Sequence, residues 1–241
     1  MHNAAFATLG MRGWSYELLD VSAAELPAAM RRLRGEDARG ANVTIPHKAA
    51  ILDQLDAVDA ESVRARAVNT IVNDSGRLSG SNTDVGAIRG AVADMGIEVR
   101  GADVVILGTG GAARATAVAL EGAHLTFVAR HPGEADVPGR VLGWSDSDWP
   151  ARTRGCDLLV NATPLGRREE MPLRPNALPR QGAVIDLVYV RGGTPLVRKA
   201  RSLGLRTVDG WTILLAQGAA AFETWTGRRA PLDAMRETLT P

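Results

Sequence analysis

The stretch DVVILGTGGAARA, residues 103–115, constrains this chain more than any other. Four apolar residues, Val104 to Leu107, run into Gly108-x-Gly110-x-x-Ala113, and an alanine-rich segment follows at once. A strand feeding a helix through a glycine turn is a βα unit, which belongs in a parallel sheet. Gly108 permits the tight turn, Gly110 lets the backbone come close to a diphosphate, and small Ala113 lets helix and strand pack closely. The helix start then offers unpaired N–H groups and a positive dipole end to phosphates. A plain strand–helix turn is the competing reading; the flanking strand and helix favour a dinucleotide-binding turn.

The rest of this region repeats the alternation. LTFVAR, CDLLVNAT, AVIDLVY and RTVDG read as short strands, and PLVRKARSLG as a helix, with a Pro- and Gly-rich loop after LTFVAR. That pattern predicts an α/β fold with a doubly wound parallel sheet. Before it the pattern is mixed. SAAELPAAMRRLRG predicts an amphipathic helix with Ser22 as N-cap and Glu25 three residues on. GANVTI predicts a short buried strand, and HKAAILDQLDAVDAESVRARA helix with a break near Asp59. VNTIVND and RLSGSNTD around Ser75-Gly76 predict a hairpin. Helix is predicted from Val85 to Met95, over WTILLAQGAAAFETWTG, and over PLDAMRETLT.

Bulk properties exclude several function classes. With 28 basic and 27 acidic residues the net charge is +1, which argues against nucleic-acid binding, as do aromatics at 4%. No apolar run is long enough to span a bilayer, and the first residues lack the pattern of a signal peptide. Cys156 is the one cysteine, so no internal disulfide forms, in keeping with a cytoplasmic location. His2, His47, His124 and His131 show no ligand spacing, so no metal is expected. No Gly-x-Ser-x-Gly elbow is present.

Two positions carry further chemistry. Arg130 stands at the end of the second strand, where an acid selects a ribose 2′-hydroxyl and an arginine a 2′-phosphate; the reading is NADP, with NAD use left open. Three polar clusters precede the glycine turn: Asn42-Val43-Thr44 with Lys48, Val68-Asn69-Thr70, and Ser81-Asn82-Thr83-Asp84. Singly they suit turns and caps, Asp84 as an N-cap included. Together they supply a lysine, a carboxylate, amides and hydroxyls.

NVTIPHK, AVNTI, SNTD, GTGGAARA, NATPLG, VIDLVY and GWTILLAQGAAAFETWTG follow one another in an order that resembles the shikimate dehydrogenase family. The resemblance implies two domains: an α/β substrate domain, residues 1–84 with 212–241, and a Rossmann-like doubly wound NADP-binding domain, residues 85–211. It implies NADPH-dependent, reversible reduction of 3-dehydroshikimate to shikimate in aromatic amino-acid biosynthesis. By resemblance Lys48 is the catalytic lysine and Asp84 its acidic partner. Thr44, Asn69 and Gln217 bond the substrate hydroxyls, and Tyr189 lines the same pocket. Gly108, Thr109, Gly110, Gly111 and Ala112 hold the diphosphate, while Leu187 and Gly210 lie near the nicotinamide.

The chain also departs from the family pattern. The family opens with a strand and a Ser-x-Ser-Pro segment that binds the substrate carboxylate; MHNAAF begins at the His-Asn pair that follows, so weak substrate binding is expected. Arg66 stands where glycine is common, and Glu134 near a second basic position. Two alternatives stay open: a quinate/shikimate dehydrogenase using NAD, and a non-catalytic nucleotide-binding homologue. The sequence does not choose between monomer and homodimer.

Overall fold

In the computed structural model, which describes residues 1–239, the chain divides into two units. One comprises Met1–Asp84 and the segment from Leu215 onward; the other is Val85–Leu214.

The first unit opens with α1 (His2–Thr8) and α2 (Leu26–Leu33). Glu25 reaches back to the Ser22 N–H at 2.9 Å and hydroxyl at 2.6 Å, half of a capping box, but the helix itself begins at Leu26, with Pro27 in its first turn. The predicted strand over 40–45 shortens to β1 (Gly40–Asn42), half-buried rather than buried, with Thr44 and Ile45 exposed. Of the helix predicted over 47–67 with a break near Asp59, the part after the break forms as α3 (Ala60–Ala65), and the part before it is replaced by a short 3₁₀ turn (Leu52–Gln54) and β2 (Ala57–Val58). The sheet overrides local helix propensity here. Asp56 N–H bonds the Leu78 carbonyl, Leu78 N–H bonds the Asp56 carboxylate at 2.7 Å, and Asp59 N–H bonds the Gly80 carbonyl. Asp59 then caps α3 through Ser62 N–H at 2.6 Å, and Arg66 ends it in the left-handed region at φ 46°.

The hairpin comprises β3 (Thr70–Asp74) and β4 (Arg77–Ser81). Both turn residues have positive φ, Ser75 at 52° and Gly76 at 87°, the backbone twist that two-residue hairpin turns need. Asn73 locks it: its Oδ1 accepts from Gly76 N–H, and its Nδ2 donates to the carbonyls of Leu33, Gly35 and Ala38. The sheet order is β1-β3-β4-β2, with β2 parallel to β4 and the other pairs antiparallel. Leu26, Met30, Ile51, Val68, Ile71 and Leu78 form one core. α4 (Thr83–Asp94) follows, capped by Asn82, whose Oδ1 accepts from Asp84 N–H at 3.1 Å.

The second unit contains β5 (Asp103–Leu107), α5 (Gly111–Ala119), β6 (His124–Ala129), β7 (Arg140–Gly143), α6 (Trp149–Gly155), β8 (Leu158–Asn161), β9 (Ala183–Asp186), α7 (Pro195–Ser202) and β10 (Arg206–Val208). The order β10-β9-β8-β5-β6-β7 is parallel throughout. Successive strands run outward from β5 on both sides, so the winding reverses between β5 and β8. β7 and α6 occupy the segment expected to be loop. Val141 and Leu142 are too short a run to read as a strand, and pairing with β6 makes them one. Trp149 is buried, donates to the Trp144 carbonyl at 3.1 Å and packs edge-on to its ring.

α8 (Gly210–Thr226) and α9 (Leu232–Glu237) complete the chain; Thr240, the last residue of the helix expected over 231–240, lies outside the described residues. Phe222, Ala219 and Met235 pack with Ala5 and Phe6 of α1 in a second core of the first unit. Trp225 donates its indole N–H to the Ile71 carbonyl at 2.9 Å, and a Cβ at Gly40 would collide with both groups. Among the described residues no helix is long and apolar enough to cross a membrane.

His2 packs against the rings of Tyr16 and Trp225, at 4.4 and 5.2 Å, and is 4% exposed. Burial, with the terminal ammonium adding to it, lowers its pKa to about 4. The unfolded chain therefore takes up a proton that the folded chain refuses. Stability should be whole above about pH 6.5 and fall by roughly 3 kcal/mol as pH drops toward about 4. His2→Phe should flatten that limb in urea unfolding followed between pH 4 and 7; an unchanged slope contradicts the assignment.

Candidate active site

Lys48 leaves the turn after β1, and its own carbonyl accepts the Val68 N–H at 2.8 Å, which anchors it beside the segment entering β3. Its Nζ lies 2.6 Å from Asp84 Oδ2; the two side chains are 19% and 15% exposed. An ion pair so short and so little hydrated is oriented, unlike a solvated surface pair. Asp84 is therefore not the cap of α4; Asn82 performs that task and leaves the Asp84 carboxylate for Lys48.

The residue before Asp84 binds the next group. Thr83 N–H donates to Asn69 Oδ1 at 2.8 Å, and Asn69 Nδ2 donates to Gln217 Oε1 at 3.5 Å. Thr70 donates its hydroxyl to Asn69 Oδ1 at 2.9 Å and accepts from Asn42 Nδ2 at 3.2 Å. Lys48, Asp84, Asn69 and Gln217 thus gather within the first unit, through residues 68–70 and 82–84. Thr44 is exposed, its carbonyl accepting from His47 N–H. The sequence reading assigns no role to Thr70 or Thr83; a cluster of small polar residues does not reveal which of them holds the others.

In the second unit the glycine turn stands at the end of β5. Gly108 has φ +100°, and its N–H bonds the Val128 carbonyl of β6 at 2.8 Å. A Cβ on Gly108 would press on Thr163 Cγ2 at 3.1 Å and the Ala162 carbonyl at 3.2 Å, so glycine is required. A Cβ on Gly110 would meet open space, the room a diphosphate needs. Gly110 is also the N-cap of α5 and offers no side chain, so the first N–H groups of Gly111 and Ala112 face that space uncapped by it. Thr109 turns its carbonyl to Arg114 Nη1 at 3.3 Å, a contact the sequence reading misses. Arg130 follows the last residue of β6 and is exposed. These features fit a dinucleotide with a phosphorylated ribose.

Leu187, Tyr189 and Gly210 come together on the same unit. A Cβ on Gly210 would lie 2.5 Å from the Val188 carbonyl carbon and 2.7 Å from Tyr189 N. The Tyr189 ring packs on Trp211 at 5.2 Å, and Trp211 donates to the Val190 carbonyl. Beneath them lies a polar network that sequence reading does not find. Buried Asp186 accepts from Asn161 Nδ2, Val188 N–H and Thr194 Oγ1 at 2.9, 3.0 and 2.5 Å. Burial raises its pKa against these three donors. Asn161 Oδ1 accepts from the Thr163 hydroxyl and N–H, and Nδ2 also donates to the Leu165 carbonyl, so hydrogen bonds tie β8, β9 and the loops beyond them together. The available signal is the Asn161-x-Thr163 and Asp186-x-Val188 spacing of side chains that bond backbone two residues on. Among the described residues no group of His, Cys, Asp and Glu could hold a metal ion.

A family profile described as the shikimate dehydrogenase substrate binding domain matches residues 1–71, and one described as the shikimate 5′-dehydrogenase C-terminal domain matches residues 210–240. The curated shikimate dehydrogenase (NADP(+)) of Moorella thermoacetica is 41% identical over 99% of this chain and 86% of its own. The chain belongs to the shikimate dehydrogenase family. The Rubrobacter xylanophilus member is 42% identical over 100% of this chain and 89% of its own. The crystal structure of shikimate 5-dehydrogenase from Thermus thermophilus, in complex with NADP(H) and shikimate, matches with a TM-score of 0.87 at 35% identity, covering 99% of this chain and 91% of that one.

Thr194 joins two tasks: it donates to Asp186 and caps α7 through Val197 N–H at 3.1 Å. Thr194→Val should destabilise the protein by about 2–4 kcal/mol, from the lost cap and the under-bonded carboxylate. Thr194→Ser should recover most of it in urea unfolding. A valine variant as stable as the parent shows that the network is idle.

Proposed function

We propose that this chain catalyses the reversible, NADP-dependent reduction of 3-dehydroshikimate to shikimate, a step of aromatic amino-acid biosynthesis. The observation that carries the reading is the 2.6 Å Lys48–Asp84 pair set beside the Asn69–Gln217 amides. NADPH, when bound, supplies a hydride to the ketone carbon. The ketone oxygen then gains negative charge and needs a proton. The Lys48 ammonium stabilises that charge and donates the proton, and the Asp84 carboxylate holds the ammonium in place while accepting a hydrogen bond from a substrate hydroxyl. Asn69, Gln217 and Thr44 orient the ring through its hydroxyls, so that an analogue lacking one leaves a polar group unmet. Tyr189 is a further substrate-binding residue in this reading.

The dinucleotide role falls to Gly108, Thr109, Gly110, Gly111 and Ala112 for the diphosphate, Arg130 for the 2′-phosphate, and Leu187 with Gly210 for the nicotinamide. Support comes from the open space over Gly110 and the uncapped helix start. The enzyme acts on free small molecules. A cytoplasmic setting belongs to the same reading, in keeping with a chain whose single cysteine, Cys156, is a free thiol.

Lys48→Ala should lower kcat for shikimate oxidation by at least about 10²-fold while shikimate affinity, measured by titration, changes much less. Turnover within a few-fold of the parent removes Lys48 from the mechanism. Arg130→Ala should raise the NADP KM by about tenfold and leave the NAD KM unchanged, since a charged hydrogen bond to the extra phosphate is all that is lost. Equal change with both cofactors sinks the assignment of Arg130.

A further inference from the structure

We propose that Arg114 is a positioning residue for the cofactor: it holds the Thr109–Gly110 peptide of the glycine turn in one orientation, so that the turn is set for a dinucleotide's diphosphate before the ligand arrives. The inference rests on the diphosphate role proposed for Gly108 to Ala112.

The turn passes through Gly108 and Gly110, and glycine has the widest backbone freedom of any residue. Gly108 is fixed from outside. Its N–H bonds the Val128 carbonyl at 2.8 Å, and Thr163 and Ala162 crowd its α carbon. Gly110 differs: no atom lies within 4 Å of where its Cβ would stand, so packing does not restrain it there. The peptide unit most able to rotate is the one that joins Thr109 to Gly110. It also precedes the helix ladder, whose first rung runs from Arg114 N–H to the Gly110 carbonyl at 3.0 Å.

Arg114 supplies what packing does not. Helical side chains lean back toward the N-terminus, so a residue near the start of α5 reaches the turn before it. Arg114 Nη1 donates to the Thr109 carbonyl at 3.3 Å, and among the described residues no other donor meets that oxygen. Arg114 thus holds successive carbonyls, Thr109 by its side chain and Gly110 by its backbone. Because the peptide is planar and trans, fixing the Thr109 C=O fixes the Gly110 N–H on the opposite side of the bond. The carbonyl matters for charge as well. Left without a donor, a C=O at this turn offers a lone pair to an anion and repels it; the guanidinium occupies that lone pair. Arg130 concerns the 2′-phosphate alone, whereas Arg114 concerns the diphosphate, which NADP and NAD share.

Arg114→Met keeps the stem and removes the donor. It should raise the KM for NADP and for NAD by the same factor, about fivefold or more, while kcat and the shikimate KM stay within about twofold. Arg114→Lys keeps a charged donor, and both cofactor KM values should return to within about twofold of the parent. Titration with cofactor fragments separates positioning from a general loss of structure. 2′-AMP, which has the 2′-phosphate but no diphosphate, should bind Arg114→Met within about twofold of the parent, whereas 2′-phospho-ADP-ribose should lose as much as NADP. Unchanged cofactor KM values, a loss confined to NADP, an equal loss for 2′-AMP, or a lysine variant no better than the methionine one each overturn the proposal. If the wild type does not turn over shikimate, the functional reading fails, and NADP and NAD titrated onto the parent and Arg114→Met decide the proposal by themselves. An equal weakening supports it; unchanged affinities, or no dinucleotide binding by the parent, overturn it.

Discussion

The hydrogen bond from Thr83 N–H to Asn69 Oδ1 is the constraint on which the first unit's chemistry depends. It ties the start of α4 to the residue before β3, and every neighbouring group takes its place from it. One residue on, Asp84 is delivered to Lys48; one residue back, Asn82 satisfies the helix start and so leaves that carboxylate uncommitted. Lys48 is held from the other side, because its carbonyl takes the Val68 N–H. Two backbone amides thus place a lysine, a carboxylate and an amide pair. None of these side chains needs to find its partner by chance, which lowers the entropy of ordering the site.

The second unit solves a similar problem with a buried carboxylate. Its strand ends must present loops of defined shape, and loops carry many unpaired backbone groups. Asp186, Asn161 and Thr194 answer by accepting from or donating to those groups from inside the sheet. Burying a charge is costly, and three donors offset the cost. Gly108 shows why the arrangement must be tight: Thr163, held by Asn161, already fills the space a side chain would need.

What could be read beforehand followed from range. The βα alternation and the Gly108-x-Gly110 turn are local patterns, so β5, α5, β6, β8, β9, α7 and β10 were legible. The Ser75-Gly76 turn was legible for the same reason. The segment 47–58 misled because its helix-forming residues are outvoted by Leu78 and Gly80, which capture residues 56–59 from across the sheet, while the break near Asp59 and the helix after it were legible. β7 was hidden because two apolar residues make a strand only when β6 is beside them. At the site, Lys48, Asp84 and Asn69 stood out as residue types, and family resemblance grouped them and added Gln217. That Thr83 sets the Asn69 amide through its backbone N–H was not legible, since a bond made by the backbone leaves no mark on the residue type.

Gly40 matters by what it lacks. The indole of Trp225 crosses β1 where any side chain at position 40 would stand, and bonds the Ile71 carbonyl there. In a survey of all substitutions, position 40 should therefore tolerate as little change as a reacting group. Its intolerance would carry no message about ligand chemistry, only about how near a ring must come to a strand.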